Sequence, residues 1–185
     1  MALKDESYFA IELLTFLYKF KDSRWRSDDI ERVVSRNNET KSMTKKLNKN
    51  SPENDVRRVL KEIEKKRIEI EDKGPINKAI KTLNDQIIIE TKHGVGSRIT
   101  DAGKNLNLFQ IIQLFERVGL APCSQEPESF NCIKKNKGFC LTYELYKKIG
   151  DILKKILKRI TLEDIVEEKW DIEKILGSRN KKTIL

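Results

Sequence analysis

The sequence predicts a mainly α-helical chain with one small β-hairpin and one long amphipathic helix toward its C-terminal end. Three observations predict it. Apolar residues recur at three- and four-residue steps through most of the chain up to Leu83, and again from Leu141 to Ile160, which is the spacing of a helix face. One stretch, Gln86 to Thr100, reads instead as strand, glycine turn and strand. Residues 123–140 hold all three cysteines together with Pro127, Asn131 and Gly138, residue types that argue against a regular element.

Residues 6–20 read as a helix, with Phe9, Leu13, Phe16, Leu17 and Phe20 on one face. Ser27-Asp28-Asp29 is expected to cap a shorter helix carrying Ile30, Val33 and Val34. Asn37 to Asn50 is polar and basic and reads as a loop or arm. Ser51-Pro52 opens the next helix, in which Val56, Val59, Leu60, Ile63 and Ile70 set the period to about Asp72. Its outward Arg57, Arg58, Lys61, Lys65, Lys66 and Arg67 form either a solvated face paired with Glu62, Glu64 and Glu69 or a set of phosphate contacts.

Gly74-Pro75 starts a further helix, with Ile76, Ala79, Ile80 and Leu83 inward and Asn77, Lys78 and Lys81 outward. A short helix running directly into a hairpin is the outline of a winged helix-turn-helix; a hairpin without wing function is the alternative. Within that outline Asn77, Lys78 and Lys81 would meet base edges and phosphates in the major groove, while Lys92, His93 and Arg98 approach the backbone or minor groove. Whether the helix at 52–72 or the one at 75–84 enters the groove stays open. From Asp101 to Gly119 the residues Leu106, Leu108, Ile111, Ile112, Leu114, Phe115 and Val118 predict a connecting helix. The expected organisation is a winged-helix domain at 1–105 with an insertion near 41–73, a connecting helix at 106–122, a cysteine loop at 123–140, and a long helix plus a C-terminal helix at 141–178, the last started by Thr161 with Asp164 at the capping-box position.

With 38 Lys and Arg against 29 Asp and Glu, the net charge of +9 favours a polyanionic partner, and double-stranded DNA suits the expected fold. No apolar run approaches the ~20 residues that span a bilayer, so no membrane partner and a cytoplasmic location are expected. One histidine, no phosphate loop and no readable pair of catalytic carboxylates speak against an enzyme.

Clustered thiols in a reducing compartment serve as metal ligands more often than as staples. Cys140-Leu141-Thr142, Leu145, Tyr146, Leu153, Leu157 and the run Ile160-Thr161-Leu162-Glu163-Asp164-Ile165-Val166 resemble the cluster loop and dimerisation helix of the IscR/NsrR family of iron-sulfur winged-helix transcription regulators. The resemblance implies a homodimer joined through the long helix. It also implies an iron-sulfur cluster on Cys123, Cys132 and Cys140, 2Fe-2S ahead of 4Fe-4S, whose state controls operator affinity and reports redox, nitric oxide or iron-sulfur status. Lys134, Lys135 and Lys137 would lower the thiol pKa values and offset the cluster's negative charge.

The cysteines stand nine and eight positions apart, wider than the family's spacing, and Tyr143 occupies the position of the IscR-type histidine. The fourth ligand is therefore open among Tyr143, Asp5 or Glu6 across a dimer, and His93. A structural zinc site, three cysteines and one other ligand holding a DNA-binding or protein-interaction module closed, is the alternative.

Overall fold

A computed structural model describes residues 3–35, 42–44, 47, 50–66, 73–118, 141–169 and 171. The described part is mainly helical with one two-stranded antiparallel sheet. In chain order the elements are α1 (Asp5–Lys19), α2 (Ser27–Val34), α3 (Glu53–Lys65), α4 (Lys73–Asp85), β1 (Ile89–Lys92), β2 (Gly96–Ile99), α5 (Asp101–Lys104), α6 (Leu108–Gln113), α7 (Leu141–Leu157) and α8 (Leu162–Val166).

The first helix is the hub. Phe9, Ala10, Leu13, Leu14 and Leu17 are fully buried, and α1 packs against α2, α4, β2, α6 and α8. Its N-terminus is closed from far along the chain: the Glu116 carboxylate accepts from the Lys4 amide at 2.9 Å and the Ser7 hydroxyl at 2.6 Å. A carboxylate there satisfies donors the helix leaves open and opposes the positive end of its dipole.

The next two helices start differently from expectation. Ser27 lies inside α2, whose cap position is Arg26 without a side-chain bond. The first turn is held instead by the buried Asp29, which meets Arg26 at 3.3 Å and Arg32 at 3.5 Å. Pro52 is the cap residue of α3, not its first helical residue. That helix buries Val56, Val59, Leu60 and Ile63 and ends at Lys65; Ile70 and Arg67 lie outside the described residues. Ion pairs tie the layer together, Arg32 with Glu64 and Lys73 with the buried Glu31.

Leaving α4, the chain reverses through Ile87, which has a positive φ of 58° and is exposed. The Ile88 amide then donates to Leu83 O and the Thr91 amide to Asn84 Oδ1. The hairpin pairs Ile89 with Ile99, Glu90 with Arg98, Thr91 with Ser97 and Lys92 with Gly96. Trp25 adds one rung on the far side of β2: its amide donates to Ser97 O at 2.9 Å and accepts from the Ser97 amide at 2.7 Å through its carbonyl. Gly96, at φ 114°, lies so close to Trp25 that an added Cβ would sit 2.5 Å from the Trp25 carbonyl oxygen.

Where one connecting helix is expected, two short ones form. Thr100 caps α5 through the Gly103 amide, and Asn107 caps α6 in a reciprocal box with Gln110. Two N-caps so close together restart the helix, and α6 ends at Gln113; Gly119 lies outside the described residues.

The last two helices return to the body. The expected cap on α8 is present: Thr161 Oγ1 accepts from the Asp164 amide, and the Asp164 carboxylate accepts from the Thr161 amide at 2.8 Å. Thr161 forms an isolated bridge with Asn107, and the Leu108 amide donates to Ile160 O at 2.8 Å, so the N-termini of α6 and α8 are clasped to each other. Leu162 is fully buried in the main core. Leu153 and Leu157 of α7 pack against Phe109, Ile112 and Val118. Trp170 and Ile175 of the expected C-terminal helix lie outside the described residues.

Candidate nucleic-acid interface

The helical period of α4 puts Ile76, Ala79 and Leu83 in the core and leaves Asn77, Lys78 and Lys81 exposed. The three are not equivalent. Lys78 Nζ sits 2.7 Å from Glu6 Oε1 on α1, so its charge is turned toward the first helix. That hydrogen bond is the main reason the Glu6 carboxyl is held below the ordinary glutamate range, with the helix's own backbone assisting. Asn77 and Lys81 carry the outward face.

The hairpin carries Lys92, His93 and Arg98, all exposed, on two strands anchored from behind. Arg24, placed by the segment leading to Trp25, donates Nη1 to the carbonyls of Glu90 and Gly96, both at 3.2 Å, and Nη2 to Glu90 Oε2 at 2.7 Å. A single half-buried guanidinium therefore spans both strands. The Glu90 carboxylate also takes Arg98 Nε at 2.9 Å and stands 3.6 Å from Lys92 Nζ. Arg24, then Arg98, hold the Glu90 carboxyl below its ordinary range. Sequence reasoning missed both Arg24 and Glu90; the alternation that placed Glu90 and Arg98 in opposed strands was the available signal.

Beneath the hairpin lies a cleft of about 380 Å³, lined by Lys21, Lys104 and Arg98 with Asp22, Glu90 and Asp101 among others. Its charges alternate in sign. The two arginines of α3 have local partners: Arg57 pairs with Glu53 at 2.7 Å and covers the Trp25 ring at 4.3 Å, and Arg58 meets Asp55 at 2.9 Å. Those contacts give the arginines of α3 a structural part, while Arg58, Lys61 and Lys65 stay exposed alongside the cations of α4 and the hairpin.

Cys123, Cys132 and Cys140 lie outside the described residues. Among the described residues no group of three or more His, Cys, Asp or Glu side chains is placed to hold a metal ion. Of the fourth-ligand candidates, Glu6 is engaged by Lys78 and Asp5 and Tyr143 also have partners, while His93 stands exposed in the hairpin turn. Asp5 and Glu6 open α1 beside Glu116, near in sequence to the start of the cysteine segment.

On α7, Leu145, Ile149 and Ile152 are 55%, 41% and 50% exposed, and with the half-buried Ile156 they fall at steps of four, three and four, the spacing of a coiled-coil seam. No described helix is long and apolar enough to cross a membrane. The chain matches no model of a known protein family and no curated protein sequence.

Proposed function

We propose that the chain is a DNA-binding transcription regulator of the winged-helix type, acting as a homodimer through α7, with operator affinity set by an iron-sulfur cluster on Cys123, Cys132 and Cys140. The observation that carries the DNA-binding half is the helix–hairpin unit: α4 runs directly into β1, Trp25 adds one bridge on the far side of β2, and Asn77, Lys81, Lys92, His93 and Arg98 are exposed along it. Exposed cations of this kind provide phosphate contacts, and Asn is suited to reading adenine. In this reading α4 is the groove-entering helix, since α3 spends its arginines on Glu53, Asp55 and the Trp25 ring.

The cluster half rests on the three clustered thiols and the resemblance of residues 140–166 to the IscR/NsrR family. Residues 119–140 join the α6 region to the start of α7. The far end of α7 is held by the Leu108–Ile160 bond and buried Leu162. Ligation of the thiols would act on the near end of α7 and shift the separation of the two winged helices in a dimer, each of which must meet its own half-site. Bound there, an iron-sulfur cluster supplies redox and nitric oxide reactivity; a zinc site would supply only closure.

The test is purification without air, with iron, sulfide and zinc analysis, followed by footprinting on genomic fragments. Brown protein with iron and sulfide near stoichiometry and a two-fold-related footprint is expected. Zinc without sulfide replaces the cluster by a structural site, and absence of any footprint removes the DNA-binding reading. Cys132→Ala is expected to lose the cluster, keep the fold, and change operator affinity by more than about tenfold, 1.4 kcal/mol.

A further inference from the structure

Glu90 is out of place on a DNA-facing hairpin. It stands directly across the ladder from Arg98, its carboxylate takes Arg98 Nε at 2.9 Å and lies 3.6 Å from Lys92 Nζ, and it puts a negative charge between the exposed cations of the hairpin. A phosphate reaching for Arg98 meets a carboxylate already there. We infer that Glu90 is a built-in counter-charge on the hairpin, which a DNA phosphate must displace from Arg98 and which holds down binding to unrelated sequence.

Arg24 makes that exchange inexpensive. It is 16% exposed, against 51% for Arg98, and it donates to Glu90 Oε2 at 2.7 Å while bonding the carbonyls of both strands. Glu90 therefore keeps a fixed partner whether or not Arg98 leaves, and no carboxylate is stranded without a counter-ion. Arg98 contacts Glu90 through Nε, and its two terminal nitrogens have no partner among the described residues. Lys92 is likewise exposed, at 59%. The depressed carboxyl pKa keeps the counter-charge ionised throughout the neutral range.

The cost falls on every duplex alike, because phosphates carry no sequence information. A base-reading contact from Asn77 on α4 is untouched by it. A counter-charge of this kind lowers general affinity more than it lowers the ratio of specific to non-specific binding, and it is the ratio that locates a site in a genome.

The inference rests on the DNA-binding reading, and the experiment separates the two. Glu90→Gln keeps the shape and an acceptor for Arg24 and removes only the charge; its thermal midpoint is measured first. Binding of wild type, Glu90→Gln, and Glu90→Gln with Arg98→Ala to a duplex of mixed sequence is then followed across a salt series. The Gln variant should bind severalfold more tightly at low salt, with a log K against log salt slope steeper by up to about 0.9, the increment of one added phosphate contact. Removing Arg98 from that variant should abolish the gain, which a merely structural role for Glu90 does not predict. A folded Glu90→Gln protein with wild-type affinity and slope overturns the inference and leaves the DNA-binding reading standing. If wild type binds no duplex at any salt, both fall.

Discussion

The helix–hairpin unit and α7 face the same problem, an apolar stripe beside a row of charges, and handle it in opposite ways. In the unit from α4 to β2, Ile76, Ala79, Leu83, Ile88, Ile89 and Ile99 are all buried, and the strands are pinned from behind by Trp25 and Arg24. Among the described residues α7 is covered along one edge, by Phe109, Ile112 and Val118, while Leu145, Ile149 and Ile152 are exposed. Burying one such side chain is worth about 1.5–3 kcal/mol, so the open face of α7 is suited to a second surface. Among the described residues, the hairpin unit buries its apolar stripe within one chain, whereas α7 leaves Leu145, Ile149 and Ile152 exposed.

The largest expected effect breaks the first region. Trp25 is fully buried, packs its ring 4.8 Å from that of Phe16 and 5.3 Å from that of Phe20, and lies under the Arg57 guanidinium. Trp25→Ala should cost about 3–5 kcal/mol, read by urea unfolding. Gly96→Ala attacks the same junction from the other side, since its added Cβ meets the Trp25 carbonyl and its φ is unfavourable for alanine. A loss under 1 kcal/mol in both would mean that the hairpin does not depend on the Trp25 rung.

In α7 the expectation is reversed. Ile149→Asp with Ile152→Asp should leave monomer stability within about 0.5 kcal/mol, as exposed substitutions do, yet abolish self-association in light scattering. Leu153 is a poor choice for this test, because it packs against Phe109 and Ile112 and would damage the docking of α7 itself. Dimers that survive the double substitution would mean that the seam is not the interface.

How far each region was legible follows from the range of its signals. Helical periods read well and local caps unevenly: α1, α4 and the Thr161–Asp164 box lie close to where apolar spacing and the cap residue put them, whereas Ser27 and Pro52 do not take the cap and first-turn positions expected of them. The break between α5 and α6 was masked because Leu106, Leu108, Ile111 and Ile112 continue an apolar period across it, although Asn107 and Gln110 spell a capping box. Glu116 closing α1 and the Trp25 rung were beyond reading, since a single contact across so much chain leaves no period. The candidate interface divides the same way. Exposure of Asn77, Lys78 and Lys81 follows from the wheel, whereas the carboxylates that meet Lys78 and Arg98 come from α1 and from across the hairpin.

A smaller effect tests the clasp between α6 and α8, which holds the far end of α7. Thr161→Ala removes the side-chain acceptor for the Asp164 amide and should cost about 1 kcal/mol, with faster amide exchange confined to α8 and the end of α7. Thr161, by hydroxyl and then by backbone amide, holds the Asp164 carboxyl below its ordinary range. A depressed folded value means that the contribution is complete above the unfolded pKa and is lost as pH falls through the folded one. The gap between wild type and Thr161→Ala should therefore narrow on acidification; a gap that stays constant into strong acid would leave the carboxylate out of the clasp.

The smallest effect separates the cations of α4. Lys78 is 69% exposed and paired with Glu6, so the pair is worth at most about 1 kcal/mol to stability. Lys78→Ala should hardly move the midpoint in urea at neutral pH. The Glu6 carboxyl is depressed chiefly by Lys78, so the pair's contribution is present above the ordinary glutamate value and disappears below the folded one. For DNA the order reverses: Lys78 has to leave Glu6 before it can reach a phosphate, whereas Lys81 is exposed on the outward face. Lys81→Ala should lower the salt slope by about 0.9, Lys78→Ala by clearly less, and Glu6→Gln should raise affinity by freeing Lys78. Equal slopes for the two lysine variants would show that Lys78 leaves its partner at no cost, which would make Glu6 a bystander on the face of α4.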